Sequence, residues 1–342
     1  MTKIDYKYGF PLFSRSSNVI TIGSSKTIIS DVWAFWDYLI KKHNKDKAFL
    51  FSLLQQAKNF YEVAEKSEFK SKPLLYYYSF LNFSKILIHL ENSFSVTQSY
   101  NHGIGEKNNH SFSQSEIKIF KSSLPRHPQN KSVAYELMKT LGDDVTAFQS
   151  QDNITLNLKE FMSHSVGVHR SYSQVYNQKE HFFRLSKETI YKDGLNMHFK
   201  AQVQCENKHL TKLRNLGYNI DDDKNITWSI TKQTQSVTIQ DYYRLSQEIR
   251  KSGVWYYIGN NGYTLYLSTN PDYRYSPEMI IYNMMFYLGS ITRYHPYLFE
   301  KIFSDKEQWL MSEFLTTQPK QFLFLCTAKF LGQDVLKAYT SF

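Results

Sequence analysis

Pro73-Leu74-Leu75-Tyr76-Tyr77-Tyr78-Ser79-Phe80-Leu81-Asn82-Phe83-Ser84-Lys85-Ile86-Leu87-Ile88 is the stretch on which the fold turns. Proline suits the first turn of a helix, where its missing N–H would be unpaired anyway. The residues after Pro73 make a helix apolar nearly all round, and such a helix is a buried one. Other elements of the chain must therefore enclose it. Asn82 and Lys85, among its few polar residues, need partners or a ligand in that setting. The plainer alternative is that Lys85 snorkels its ammonium to the surface.

Working outward, Ser30-Asp31 caps a helix with an apolar stripe at Val32, Phe35, Trp36, Leu39 and Ile40. A second helix is expected over about 46–65, with Phe49, Leu50, Leu53 and Leu54 on one side. The polar run Glu106-Lys107-Asn108-Asn109-His110-Ser111 reads as an exposed loop, and Ser132 to Leu141 as a short helix ending at Gly142. From about Asn153 the pattern turns to strand. Met197, Phe199, Ala201, Val203 and Cys205 alternate with polar residues, as a half-buried strand requires. Ile226, Trp228 and Ile230, then Val237 and Ile239, repeat the pattern. Residues 254–258 and 263–267 read as a hairpin around Asn260-Asn261-Gly262.

Helix returns at Ser276-Pro277-Glu278, a cap followed by a first-turn proline and an acidic first turn. That helix is expected to end near Pro296. Ser304 to Glu307 reads as a capping box for the next helix, and Pro319 as the start of a last one. The fold class is α+β: helical zones at 1–148 and 271–342 pack together around a β-rich zone at 149–270. The Pro73 helix and the helix ending at Tyr294 are both too apolar to stand at a surface, so they are expected to pack on each other.

Composition sets the functional limits. The chain has 342 residues, 42% of them hydrophobic, and a net charge of +10. That balance attracts polyanions, nucleic acid first, although the Lys, Asn, Tyr and Ile content also fits AT-rich coding. Lys118, Lys121, Arg126, His127 and Lys131 form a basic segment that cannot be helical throughout, because Pro125 and Pro128 interrupt it. With two cysteines, a disulfide framework is excluded and a reducing cytoplasm is the natural compartment. Met279 to Leu288 is too short to span a bilayer, so no membrane is expected.

No phosphate loop, dinucleotide fingerprint or nucleophile elbow is present. No cofactor is expected, with Mg²⁺ the exception should the chain be a nuclease. Asp193, Glu206 and Lys208 would then be the candidate metal set; a solvated strand end is the alternative.

Tyr76 to Lys85, His102-Gly103-Ile104 and Gly289-Ser290-Ile291-Thr292-Arg293-Tyr294-His295-Pro296 resemble the signature stretches of the YaaC-like proteins of bacteria. The resemblance spans most of the chain. It implies a bacterial cytoplasmic protein of poorly defined activity whose N-terminal part is similar to HEPN-type helical modules. Many of those serve toxin, antiviral-defence or RNA-processing systems. The chain departs from catalytic HEPN ribonucleases, because no arginine here is followed four to six residues later by a histidine.

The candidate site is Asn82, Lys85, His102, Arg293 and His295. Arg293 precedes a helix-breaking proline and is either pinned by a carboxylate such as Glu300 or presented to a phosphate. His102 precedes a glycine, where the backbone can turn sharply and offer the imidazole to a cleft. Alternatively, His102 caps a helix and Arg293 staples the two helical ends together. The leading functional expectation is a nucleic-acid-engaging component or effector of a defence or stress system. A nuclease or nucleotide hydrolase, and a scaffold for a partner protein or a second copy of the chain, are the alternatives.

Overall fold

A computed structural model describes residues 2–3, 27–42, 46–92, 100–122, 131–179, 182–231, 252–256, 263–267, 275–331 and 335–337, with scattered positions between 241 and 249. The described chain forms two compact units: 29–179 with 269–326, and 1–28 with 180–268 and 327–342.

In the larger unit, Asp31 accepts backbone N–H groups of Trp33 and Ala34 at 2.9 and 3.1 Å, opening helix α1 (Val32–Lys42). Helices α2 (Lys47–Lys66) and α3 (Lys72–Asn92) follow. Ser132 caps α4 (Val133–Leu141), which closes on left-handed Gly142. Two short helices come next, α5 (Leu158–Met162) and α6 (His169–Val175). Helix α7 (Asn207–Asn215) belongs to the smaller unit. Ser276 caps α8 (Pro277–Tyr294), and Pro296 opens α9 (Pro296–Ser304) directly after it. Helix α10 (Gln308–Leu331) belongs to this unit through Cys326.

Helix α3 is enclosed as its composition demands. It packs against α2, α4 and α8. Trp36 of α1 meets Phe83 at 4.9 Å, and Phe322 of α10 stacks on Phe80 at 4.2 Å between ring centroids. Phe80, Phe83, Ile86, Leu87 and Ile88 are fully buried, each such side chain contributing about 1.5–3 kcal/mol of transfer free energy. Helices from before and after the β-rich middle thus share one core, and the α3–α8 contact expected from their apolar surfaces is present.

Four expectations are corrected. The run from Glu106 to Ser111 is not a loop: Ile104–Asn109 pairs antiparallel with Ser111–Phe120, which in turn pairs with Asn153–Asn157. Its polar residues stand on a half-covered edge strand, so they show no apolar alternation. Helix is also present after Asn153, at α5 and α6, where strand was expected. Pro319 does not start a helix but lies inside α10. It removes one backbone donor, yet Phe314, Leu315, Phe322 and Leu323 are buried on either side, and packing holds the helix through the gap. Ser304, read as part of a capping box, instead ends α9, and its hydroxyl bonds Lys301 O at 3.2 Å.

The smaller unit is built on an antiparallel sheet in the order Asn225–Thr231, Asn196–Gln204, Phe182–Asp193, Tyr263–Tyr266, Val254–Tyr256, with Thr2–Lys3 pairing at the far end of Phe182–Asp193. Met197, Phe199, Ala201 and Val203 are buried while their neighbours are not, as the alternation required. Val254–Tyr256 and Tyr263–Tyr266 do pair as a hairpin. Its Asn260-Asn261-Gly262 turn, like Val237 and Ile239, lies outside the described residues.

Candidate functional site

A cavity of about 170 Å³ opens in the larger unit where α3, α8 and the Ile104–Asn109 strand meet. Helix α3 contributes Leu74, Tyr77 and Tyr78. Lys85 lies seven residues, two turns, beyond Tyr78 on the same helix face. Helix α8 contributes Phe286, Ser290, Arg293 and Tyr294, and the strand contributes Ile104 and Glu106. The two helices approach closely at Gly289, where a Cβ would lie 3.2 Å from Leu74 Cα and 3.3 Å from Pro73 O. A larger residue would push Ser290 and Arg293 away from α3.

His102 enters at a tight corner. Tyr100–Asn101 pairs in parallel with Lys131–Ser132. The His102 carbonyl then accepts Ala134 N–H at the start of α4 (3.2 Å), and the Gly103 carbonyl accepts Phe120 N–H (2.9 Å). Gly103 holds φ +69°, and a Cβ there would sit 1.7 Å from Ser132 Oγ. Only glycine fits, on both conformational and steric grounds. The corner fixes the backbone that presents the imidazole.

Inside the cleft the polar groups pair across elements. His102 Nδ1 hydrogen-bonds the Tyr77 hydroxyl at 2.5 Å, and the two rings stack with centroids 5.5 Å apart. Ser290 Oγ donates to Glu106 Oε1 at 2.6 Å. Arg293 Nη1 donates to the Tyr78 hydroxyl at 3.1 Å, and its guanidinium lies 4.9 Å from the Tyr294 ring centroid. Burial, then the positive charges of Lys85 and Arg293, holds the His102 pKa below its ordinary value. Burial also lowers that of Lys85 and raises that of the Tyr77 hydroxyl well above the phenolic range. The site therefore presents an imidazole on which two cations bear, and a cleft that also holds a carboxylate, Glu106.

Of the residues singled out in the sequence, His102 and Arg293 line the cleft and Lys85 acts on it electrostatically. Asn82 does not join them: its amide donates to Gln56 Oε1 of α2 at 3.3 Å. His295 is exposed at the α8–α9 junction, its N–H bonded to Ile291 O at 2.9 Å. Glu300 pairs with Lys70, and the partner of Arg293 is Tyr78 instead. Sequence reasoning missed Glu106, Ser290, Tyr77 and Tyr78 as site residues. Ser290 and Arg293 follow Gly289 in one motif, and that spacing was the available signal.

The basic segment is only partly described. Lys118 stands on the central strand of the three-stranded sheet, not on a loop. The Lys121 ammonium donates to Phe148 O at 3.0 Å, and Lys131 is half-buried in the short parallel pair. Arg126 and His127 lie outside the described residues. The metal alternative is not assembled. Asp193 pairs with Asn196 at one end of the long hairpin, while Glu206 follows Gln204 at the other. At about 3.3 Å per residue that separates them by roughly 30 Å. Glu206 instead pairs with Lys208 at 2.6 Å. Among the described residues, no group of three His, Cys, Asp or Glu side chains could hold a metal ion.

Residues 24–330 match the family described as YaaC-like Protein. The chain belongs to the YaaC-like family. No curated protein and no solved structure matches it. Among the described residues of this YaaC-like chain, no helix is long and apolar enough to cross a membrane.

Proposed function

We propose that this YaaC-like chain engages nucleic acid or nucleotides by taking a phosphate group into the His102–Arg293 cleft, as a cytoplasmic binding or effector component. The observation that carries the reading is the arrangement of Arg293, Lys85 and His102. The Arg293 guanidinium is exposed, the Lys85 ammonium lies two turns along α3 from Tyr78, and both positive charges bear on His102. Arginine suits phosphate because its planar fork bonds two oxygens at once. Lys118 and Lys131 would extend the positive surface along a bound strand. The resemblance to HEPN-type modules supports a defence or stress setting, as fold-level analogy.

The test is a salt titration of binding to a single-stranded RNA and a DNA oligonucleotide. Phosphate contacts release counterions, so affinity falls steeply with salt. Arg293→Ala and Lys85→Ala should each weaken binding to all sequences alike, because phosphate contacts carry no sequence information. Undetectable binding at low salt, or binding indifferent to both substitutions, would sink the proposal and favour the partner-scaffold reading. One observation also favours a hydrolytic reading: a neutral imidazole hydrogen-bonded to a tyrosine is the protonation state a general base requires. Release of nucleotides from the same oligonucleotides in Mg²⁺ or Mn²⁺, lost in His102→Ala, would establish it.

A further inference from the structure

The cleft is bipolar. Arg293 and Glu106 both line it, and Glu106 is bonded to Ser290, which sits one turn before Arg293 on the same face of α8. Among the described residues, the hydrogen-bond partner of Glu106 is Ser290, bound through Oε1. A carboxylate only accepts, so the second oxygen of the half-buried Glu106 is open to a donor from a ligand in the cleft in place of water. A bare phosphate would meet Arg293 and be repelled by Glu106. A ligand that engages both groups carries an anion at one end and hydroxyl or amine donors about one helical turn away.

The walls limit its size and kind. A cavity of about 170 Å³ holds roughly a dozen waters at ~10–15 Å³ each, enough for one small organic unit and far too little for a duplex. Tyr77, Tyr78, Phe286 and Tyr294 supply aromatic surface, on which a flat heterocycle stacks favourably. Two cations bearing on His102 suit the near-double charge of a terminal phosphate better than the single charge of a carboxylate.

Building on the proposed function, we propose that the cleft takes a single ribonucleotide unit, its phosphate on Arg293 and its 2′-hydroxyl donating to Glu106. The unit is a free ribonucleotide or the unpaired end of an RNA strand. Because the 2′-hydroxyl is the donor that DNA lacks, the carboxylate distinguishes ribose from deoxyribose.

The experiment compares adenosine 5′-monophosphate, its 2′-deoxy counterpart and inorganic phosphate by calorimetry on the full chain. The ribonucleotide should bind about tenfold more tightly than the deoxynucleotide, the scale of one hydrogen bond to a charged group. Arg293→Ala should weaken all three ligands. Glu106→Gln should erase the ribose preference while leaving inorganic phosphate binding undiminished. Equal affinity for the two nucleotides in the unsubstituted chain overturns the inference whatever the variants do, as does a ribose preference that survives Glu106→Gln. If both nucleotides bind equally and depend on Arg293, only the sugar assignment fails. If none of the three ligands binds and oligonucleotides do not bind either, the proposed function fails with it. Should Glu106→Gln not fold, Ser290→Ala serves instead. It frees Glu106 Oε1 and should preserve or strengthen the ribose preference, whereas its loss counts against the assignment.

Discussion

Gly289 of α8 lies against the backbone of Leu74 in α3, with room for a Cβ only at 3.2 Å from Leu74 Cα. This contact sets the separation of the two helices that form the cleft. Replacement by leucine should therefore destabilise the fold by about 1–3 kcal/mol, the usual cost of overpacking. Alanine should cost less, because its better helix propensity returns up to about 1 kcal/mol. Urea denaturation of both variants measures this. A leucine variant as stable as the unsubstituted chain would show that the helices part freely.

Gly103 invites a more severe test. Alanine there must adopt φ +69° and place its Cβ 2.5 Å from Ser132 Cβ. Strain of this kind costs of order 1–3 kcal/mol before any clash is counted. Ser132→Ala should not rescue the Gly103→Ala variant, because Ser132 Cβ remains in the way. Thermal unfolding of the single and double variants would reveal any rescue.

The depressed pKa of His102 has a definite pH signature. As pH falls through about 6.5, the unfolded chain takes up a proton on this group before the folded chain does. Stability attributable to His102 is therefore lost as pH drops from there to the folded-state pKa, and levels off below it. A His102→Gln variant should lack this component. A bound phosphodiester favours the imidazolium, so oligonucleotide affinity should rise as pH is lowered from 7.5 to 6. An affinity flat over that range in the unsubstituted chain would remove His102 from the binding site.

Lys121 and Arg293 should separate in their effects. The Lys121 ammonium is bound to the Phe148 carbonyl, so Lys121→Ala should lower stability by about 0.5–1.5 kcal/mol while changing oligonucleotide binding little. Arg293→Ala should do the reverse. Parallel denaturation and binding curves decide, and a binding loss at Lys121 equal to that at Arg293 would move the phosphate path onto the basic segment.

The sequence by itself determined the elements whose causes are local. The all-apolar surfaces of α3 and α8, the caps at Asp31 and Ser276, the helix closing at Gly142, and the alternation of Met197 to Val203 each depend on a few consecutive residues. Each appears where it was read. His102 and Arg293 were legible for the same reason: a glycine beside one and a proline beyond the other mark where the backbone presents a side chain. Tertiary structure alone decided that Pro319 lies within a continuous helix, since buried residues on both sides outweigh one lost backbone bond. It alone joined Ser290 to Glu106 and Arg293 to Tyr78. Those partners are nearly two hundred residues or more apart, and no periodicity in a window of a dozen residues encodes such a distance. Glu106 looked like part of a solvated polar run, and became a site residue because the Ile104–Asn109 strand lies beside α8.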